Sequence, residues 1–216
     1  LCTLIFCKML HYTNIEIHLK KHEFLAKSFI DKFCGIVAEL KTDKPIQYIL
    51  GETEFAGVDF QLNSDTLIPR PETEELVMWM TESGLESGMK VLDVGTGSGC
   101  IIVSLGKLVK GLQLYGVDIS PEAVRQASDN ARQNGVEVEF GVRDIMHYEE
   151  WEWARFDVIV SNPPYVRESE KALMHDRVLN YEPGRALFVS DDDPLLFYRK
   201  IAAFGLRYLK PEGLLF

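Results

Sequence analysis

No apolar run among the 216 residues reaches the roughly 18 that a membrane-spanning helix needs, so no membrane partner is expected. Cysteine is scarce and unpatterned. Cys2, Cys7, Cys34 and Cys100 make neither a C-x-x-C pair nor a crowded framework, which points to reduced structural thiols and a cytoplasmic setting. The phosphate-cradling pattern G-x-x-x-x-G-K-[ST] is absent, which argues against a nucleoside triphosphate. Positive charge is in deficit: 23 Lys and Arg stand against 33 Asp and Glu, a net charge of −10. That balance opposes a broad electrostatic grip on a nucleic-acid backbone, although it leaves room for a local basic patch. There is no internal repeat and no low-complexity tract. With 46% hydrophobic and 26% charged residues the chain reads as an ordinary globular protein, long enough for one large domain with a small appendage.

Residues 4–40 read as helical, with Ile15, Leu19, Phe24, Leu25, Phe29, Ile30, Phe33 and Val37 recurring at intervals of three to five. Asp43-Lys44-Pro45 ends that pattern. Alternation around Gly57, within Glu54–Leu62, predicts a short hairpin. Pro71 then suits the first turn of a helix, whose positive end Glu72, Glu74 and Glu75 complement. From residue 90 strands and helices alternate. Strands are expected at 91–94, 114–119, 136–140 and 156–161, with a helix capped by Ser120-Pro121 and ended by Gly135, and another from Pro194 to about Leu209. Such alternation predicts a mostly parallel sheet with helices on both faces. Both ends read as lying inside elements: Leu1–Cys7 as a helix interior without signal-peptide features, and Lys210–Phe216 as a turn and a strand of three residues. A fragment of a longer chain, cut at both ends, is therefore expected.

Two groups of residues carry chemistry. The first is Gly95-Thr96-Gly97-Ser98-Gly99, which follows Asp93 between a strand and the helix it feeds. Glycines there let the backbone turn sharply and approach a ligand closely. Asp118 ends the next strand, 23 residues beyond Gly95, where a carboxylate can hold both hydroxyls of a ribose. Together they favour a nucleoside ligand. The second is Asn162-Pro163-Pro164-Tyr165, at the carboxyl end of an apolar strand, where open parallel sheets bind ligands. Asn162 offers a carbonyl and an amide. Neither proline nitrogen can donate, so the Pro163 carbonyl is left free, and Tyr165 adds a flat ring. A planar amino or amide nitrogen suits this pocket, since two acceptors can take its two N–H groups.

Together these residues resemble a class I S-adenosylmethionine-dependent methyltransferase with the N-P-P-Y motif of amino and amide N-methylation. Four further segments narrow the resemblance: Gln47–Gly51, Glu54–Gly57, Leu67–Glu74 and Glu182–Leu187. In that order, over residues 45–216, they are similar to the release factor glutamine methyltransferases, the PrmC/HemK family. The resemblance implies a Rossmann-like, mostly parallel sheet at 69–216 lacking its last strands. It also implies a β-hairpin linker at 46–68 and a partial helical substrate-recognition domain at 1–45. It implies methyl transfer from S-adenosylmethionine to the N5 amide of the glutamine in the Gly-Gly-Gln loop of peptide-chain release factors, leaving S-adenosylhomocysteine. Carried over by motif, Gly95, Thr96, Gly97, Ser98 and Gly99 would cradle the methionine part of the cofactor and Asp118 its ribose. Asp144 and Ile145 would lie against adenine. Asn162 would touch cofactor and substrate, while Pro163, Pro164 and Tyr165 would complete the glutamine pocket; Asn162, Pro163 and Tyr165 are the expected catalytic residues. A release factor would be the protein partner of a monomeric enzyme, with no nucleic acid and no metal.

The remaining clusters read as structural. His18 and His22, four apart, form a surface pair without a third metal ligand. Asp191-Asp192-Asp193 reads as a helix start with Asp193 as its cap. Trp151 and Trp153 read as packing, and seven lysines against five acids in residues 1–50, net +2, as a solvated helix face. Arg70, between two prolines, is open between a carboxylate partner and a role in ordering the site. Two rivals remain: a nucleic-acid adenine-N6 methyltransferase, which poses the same geometric problem, and a silent module keeping the cofactor fold. The −12 charge of residues 51–216 opposes the first, and the glycine loop, Asp118 and Asn162 oppose the second.

Overall fold

In the computed structural model, which describes residues 1–216, the N-terminal helical stretch forms three helices. Helix α1 (Cys2–Leu10) stops where His11 turns left-handed at φ +53°. Helix α2 (Asn14–Leu19) opens with a capping box: Glu16 N–H donates to Thr13 Oγ1, and Thr13 N–H donates to Glu16 Oε2. These bonds satisfy amides that a continuous helix would have paired internally, and so start a new helix within the expected span. Helix α3 (Lys27–Leu40) folds back, and Phe6 packs beside Phe29 and Phe33 with centroids 5.4 and 5.0 Å away. Several of the recurring apolar positions face outward: Ile15 is 72% exposed, Leu19 77%, and Phe24 fully.

Helix α4 (Ile46–Leu50) leads into a hairpin of β1 (Glu52–Phe55) and β2 (Val58–Gln61), close to the position expected. Its two turn residues, Ala56 at φ +49° and Gly57 at φ +72°, have the left-handed geometry that two-residue hairpins need. The register sets Phe55 opposite Val58 and Thr53 opposite Phe60, which sends Phe55, Val58 and Phe60 inward. Their side chains are buried in one cluster with Val77 and Met80 of α5 (Pro71–Glu82) and with residues of the main sheet. The hairpin is thereby part of the principal core.

The chain then runs through β3 (Lys90–Val94), α6 (Cys100–Leu108), β4 (Gln113–Asp118), α7 (Pro121–Gln133), β5 (Glu139–Val142) and β6 (Phe156–Ser161). It continues through β7 (Val166–Arg167), α8 (Asp176–Tyr181), β8 (Phe188–Val189), α9 (Leu196–Tyr208) and β9 (Leu209–Leu215). Five parallel strands form the main sheet in the order β5-β4-β3-β6-β9, the Rossmann-like arrangement expected. The apolar cluster holding the hairpin lies with α5 and α6, and a second, around Leu92, Val117, Phe156, Ile159, Ile201 and Phe204, lies under α9.

Three boundaries differ from expectation. Strand β5 begins at Glu139 and not 136, because Val136 N–H turns back to the Ala131 carbonyl and pairing starts only where Tyr115 meets Glu139. Strand β9 runs from Leu209, with an irregularity in its register against β6 between Phe156 and Val158. Asp193 does not cap α9: the helix starts at Leu196 with no side-chain cap, and Asp193 pairs with Arg199 instead. Trp153 does pack, edge-on to Phe204 at 4.9 Å, whereas Trp151 is partly exposed beside Arg143.

Candidate active site

The chain order β3-β4-β5 grows in one direction from β3 and β6-β9 in the other, so a crevice opens at the carboxyl ends of β3 and β6. Both groups of residues singled out in the sequence lie there. Ser161 ties the two strand ends together by donating from Oγ to the Val94 carbonyl at 2.7 Å.

The glycine loop leaves β3 with Gly95, Gly97 and Gly99 at φ +74°, +55° and +80°, a path that side chains would strain. A Cβ on Gly95 or Gly97 would meet nothing within 4 Å, so those two glycines front open space. Gly99 differs: a Cβ there would sit 3.1 Å from Ala127 Cβ, and the absence of one lets α6 approach α7. The loop is fixed from below. Gly95 and Thr96 N–H groups donate to the Val117 carbonyl, and Gly97 N–H donates to Asp118 Oδ2 at 2.9 Å. Asp118 Oδ1 accepts from Ser120 N–H, whose hydroxyl caps α7 and takes a bond from Arg185.

Asn130 is a part of this loop that sequence reasoning missed. Fully buried on α7, it accepts from Gln61 N–H at 2.8 Å and donates to the Gln61 and Ser98 carbonyls. One side chain therefore joins hairpin, helix and loop. Its signal was a polar residue on the small-residue stripe of α7, beside Ala123, Ala127 and Ala131.

Asp93 lies under the loop, wholly buried. Its Oδ2 accepts from Thr96 Oγ1 at 2.7 Å, while its Oδ1 and the nearby Ser98 Oγ have no partner in the chain. Burial raises its pKa to about 7, against the bond from Thr96 and helped by the charge of Asp118. Open glycines, a ribose-height carboxylate and buried polar atoms that the chain leaves unsatisfied fit a nucleoside with a polar, cationic tail. Asp144 stands beside them, since Arg143 N–H donates to the Asp118 carbonyl. Its carboxylate holds Met146 N–H and His147 Nδ1, while Ile145 packs into the second apolar cluster.

On the other side of the crevice Asn162 is half-buried, Pro163 buried and Tyr165 57% exposed. Asn162 Nδ2 donates to Thr73 Oγ1 at 3.3 Å, and neither Asn162 Oδ1 nor the Pro163 carbonyl accepts a hydrogen bond from the chain. Thr73 belongs to the first turn of α5, which a partly buried ion pair holds in place. Arg70 Nη2 lies 2.7 Å from Glu182 Oε1, with side-chain exposures of 33% and 2%. Glu182 Oε2 also accepts from Ile68 N–H. Arg70 thus meets a carboxylate and orders the site at once. Glu182 and Thr73 stood in the segments that carried the family resemblance, yet sequence alone assigned neither a partner. Glu74 likewise does more than complement the helix dipole, since it accepts from Ala56 N–H and anchors the hairpin turn.

The other clusters stay apart from the crevice. His18 bonds to the Asn14 carbonyl within α2, and no three His, Cys, Asp or Glu side chains gather as a metal would require. No helix is long and apolar enough to cross a membrane.

Two family models match the chain, one described as a methyltransferase domain over residues 85–215 and one as the PrmC N-terminal domain over residues 2–51. A release factor glutamine methyltransferase of Flavobacterium psychrophilum is 49% identical over 185 residues, covering 84% of this chain and 65% of that protein. One from Bacteroides thetaiotaomicron is 41% identical over 216 residues, covering 100% of this chain and 77% of that protein. One from Clostridium acetobutylicum is 41% identical over 208 residues, covering 94% and 70%. The chain spans about two thirds of the length of the Flavobacterium relative, 65%.

Proposed function

The chain belongs to the release factor glutamine methyltransferase family, and on that premise we propose that it methylates the N5 amide of the glutamine in the Gly-Gly-Gln loop of peptide-chain release factors. S-adenosylmethionine is the donor and S-adenosylhomocysteine the product. The observation that carries the reading is the pair of free acceptors, Asn162 Oδ1 and the Pro163 carbonyl, one strand away from the glycine loop.

Gly95–Gly99 hold the methionine part of the cofactor, Asp118 its ribose, and Asp144 with Ile145 its adenine edge. When bound, the cofactor supplies an electrophilic methyl on a sulfonium. The chain does the rest by placement. A glutamine amide nitrogen is a poor nucleophile because its lone pair is delocalised into the carbonyl. Asn162 and Pro163 accept its two N–H groups, turn the lone pair toward the methyl and stabilise the positive charge that grows on nitrogen. Alignment of this kind supplies up to about 7–11 kcal/mol of barrier reduction in ideal cases. The methylated nitrogen is acidic and loses its proton without a dedicated base. Pro164 and Tyr165 flank the amide plane.

The same reading makes the helical segment at 1–45 the substrate-recognition part, followed by the hairpin at 46–68 and the catalytic part at 69–216. The enzyme acts as a cytoplasmic monomer and engages a protein, not a nucleic acid. Replacing Asn162 with alanine is expected to lower turnover about 100-fold or more, while titration calorimetry finds cofactor affinity within threefold of the parent. Turnover that survives the change would contradict the assignment.

A further inference from the structure

We propose that Thr73 is a positioning residue for the reaction: its hydroxyl anchors the Asn162 carboxamide at the edge of the crevice. The inference rests on the function proposed above and adds a component to it. A primary carboxamide can present either its oxygen or its nitrogen to a substrate, and the two faces have opposite hydrogen-bonding sense. An amide substrate needs an acceptor here. If Nδ2 faced the pocket, its N–H would oppose the substrate N–H and leave both unpaired.

The structure shows what holds the carboxamide with its oxygen outward. Thr73 Oγ1 takes the bond from Asn162 Nδ2 at 3.3 Å, and Oδ1 is left without a donor. Thr73 is itself buried and lies in the first turn of α5, 89 residues from Asn162 in sequence. That turn is not free to drift. Arg70, immediately before α5, is held by Glu182, which also takes the Ile68 N–H. Just ahead of that segment, Tyr48 donates its hydroxyl to the Thr66 carbonyl at 2.6 Å. One catalytic side chain is therefore held from a helix start that the Arg70–Glu182, Ile68–Glu182 and Tyr48–Thr66 contacts immobilise.

The test is a double-mutant cycle in the full-length enzyme, with a release factor as substrate. Thr73→Val keeps the branched shape and removes the acceptor; Thr73→Ser keeps the hydroxyl. The expected result is that T73V lowers kcat tenfold or more, leaves S-adenosylmethionine affinity within twofold by titration calorimetry, and leaves the thermal midpoint within a few degrees. T73S retains kcat within threefold. In an Asn162→Ala background T73V costs nothing further, because the group it acts through is gone. Turnover of T73V within twofold of the parent overturns the proposal. So does an equal loss in T73S, a loss that lies in cofactor affinity, or a full additive loss in the double variant. Should T73V fail to fold, T73A enters the same cycle with the same expectations. A parent enzyme that methylates no release factor defeats the proposed function itself, and the positioning role with it.

Discussion

Asp93 is a carboxyl that the fold keeps away from water under the glycine loop, with one oxygen bonded to Thr96 and the other to nothing. Its pKa of about 7 against an ordinary 3.8 ties stability to pH. Below about pH 4 the carboxyl is protonated in both folded and unfolded chains. Between about 4 and about 7 only the unfolded chain releases the proton, so stability falls as the pH rises across that window and is level above it. Asp93→Asn removes this one dependence and leaves the others. In urea titrations the parent is therefore expected to lose stability relative to D93N between pH 4.5 and pH 8, by about 1 kcal/mol or more. A constant difference between the two across that range would contradict the burial argument. Asn130, equally buried but uncharged, has no such dependence, because every polar atom of its carboxamide finds a backbone partner.

Elements were legible in unequal measure, for physical reasons. The hairpin showed itself because period-two alternation around Gly57 is a local property, and the backbone there does turn left-handed. Strands β3, β4 and β6 are buried on both faces and read as apolar runs between breakers. The split between α1 and α2 was also written in the chain, as Thr13-x-x-Glu16, but apolar spacing across residues 4–40 masked it. Strand β5 slipped because Val136, Val138 and Phe140 alternate as evenly as the residues that do pair, and only the turn of the Val136 N–H back to the Ala131 carbonyl keeps the start of that run out of the ladder. Strands β7 and β8, of two residues each, are too short to leave a period at all. If the capping box is what separates the helices, Thr13→Ala should loosen α2 by about 1 kcal/mol while global stability changes little. Amide hydrogen exchange at residues 16–19 reads this directly; unchanged protection there would contradict it.

For the whole molecule, the sheet order follows from right-handed crossovers between parallel strands, and it places the crevice where the direction of winding reverses. That is why the glycine loop, Asp118 and Asn162 could be found from sequence: each sits at a strand end that local pattern locates. Thr73 and Glu182 could not, since their partners lie 89 and 112 residues away and are brought together only by the fold. Charge acts at the same scale. Residues 51–216 carry −12, which repels a phosphate backbone and leaves the protein reading ahead of the nucleic-acid one. The most direct test follows labelled methyl from S-adenosylmethionine when the full-length protein is offered three acceptors in parallel. These are a release factor, the same factor with its Gly-Gly-Gln glutamine replaced, and duplex DNA. Label is expected on the intact factor alone. Label on DNA, or on the factor that lacks the glutamine, would contradict it.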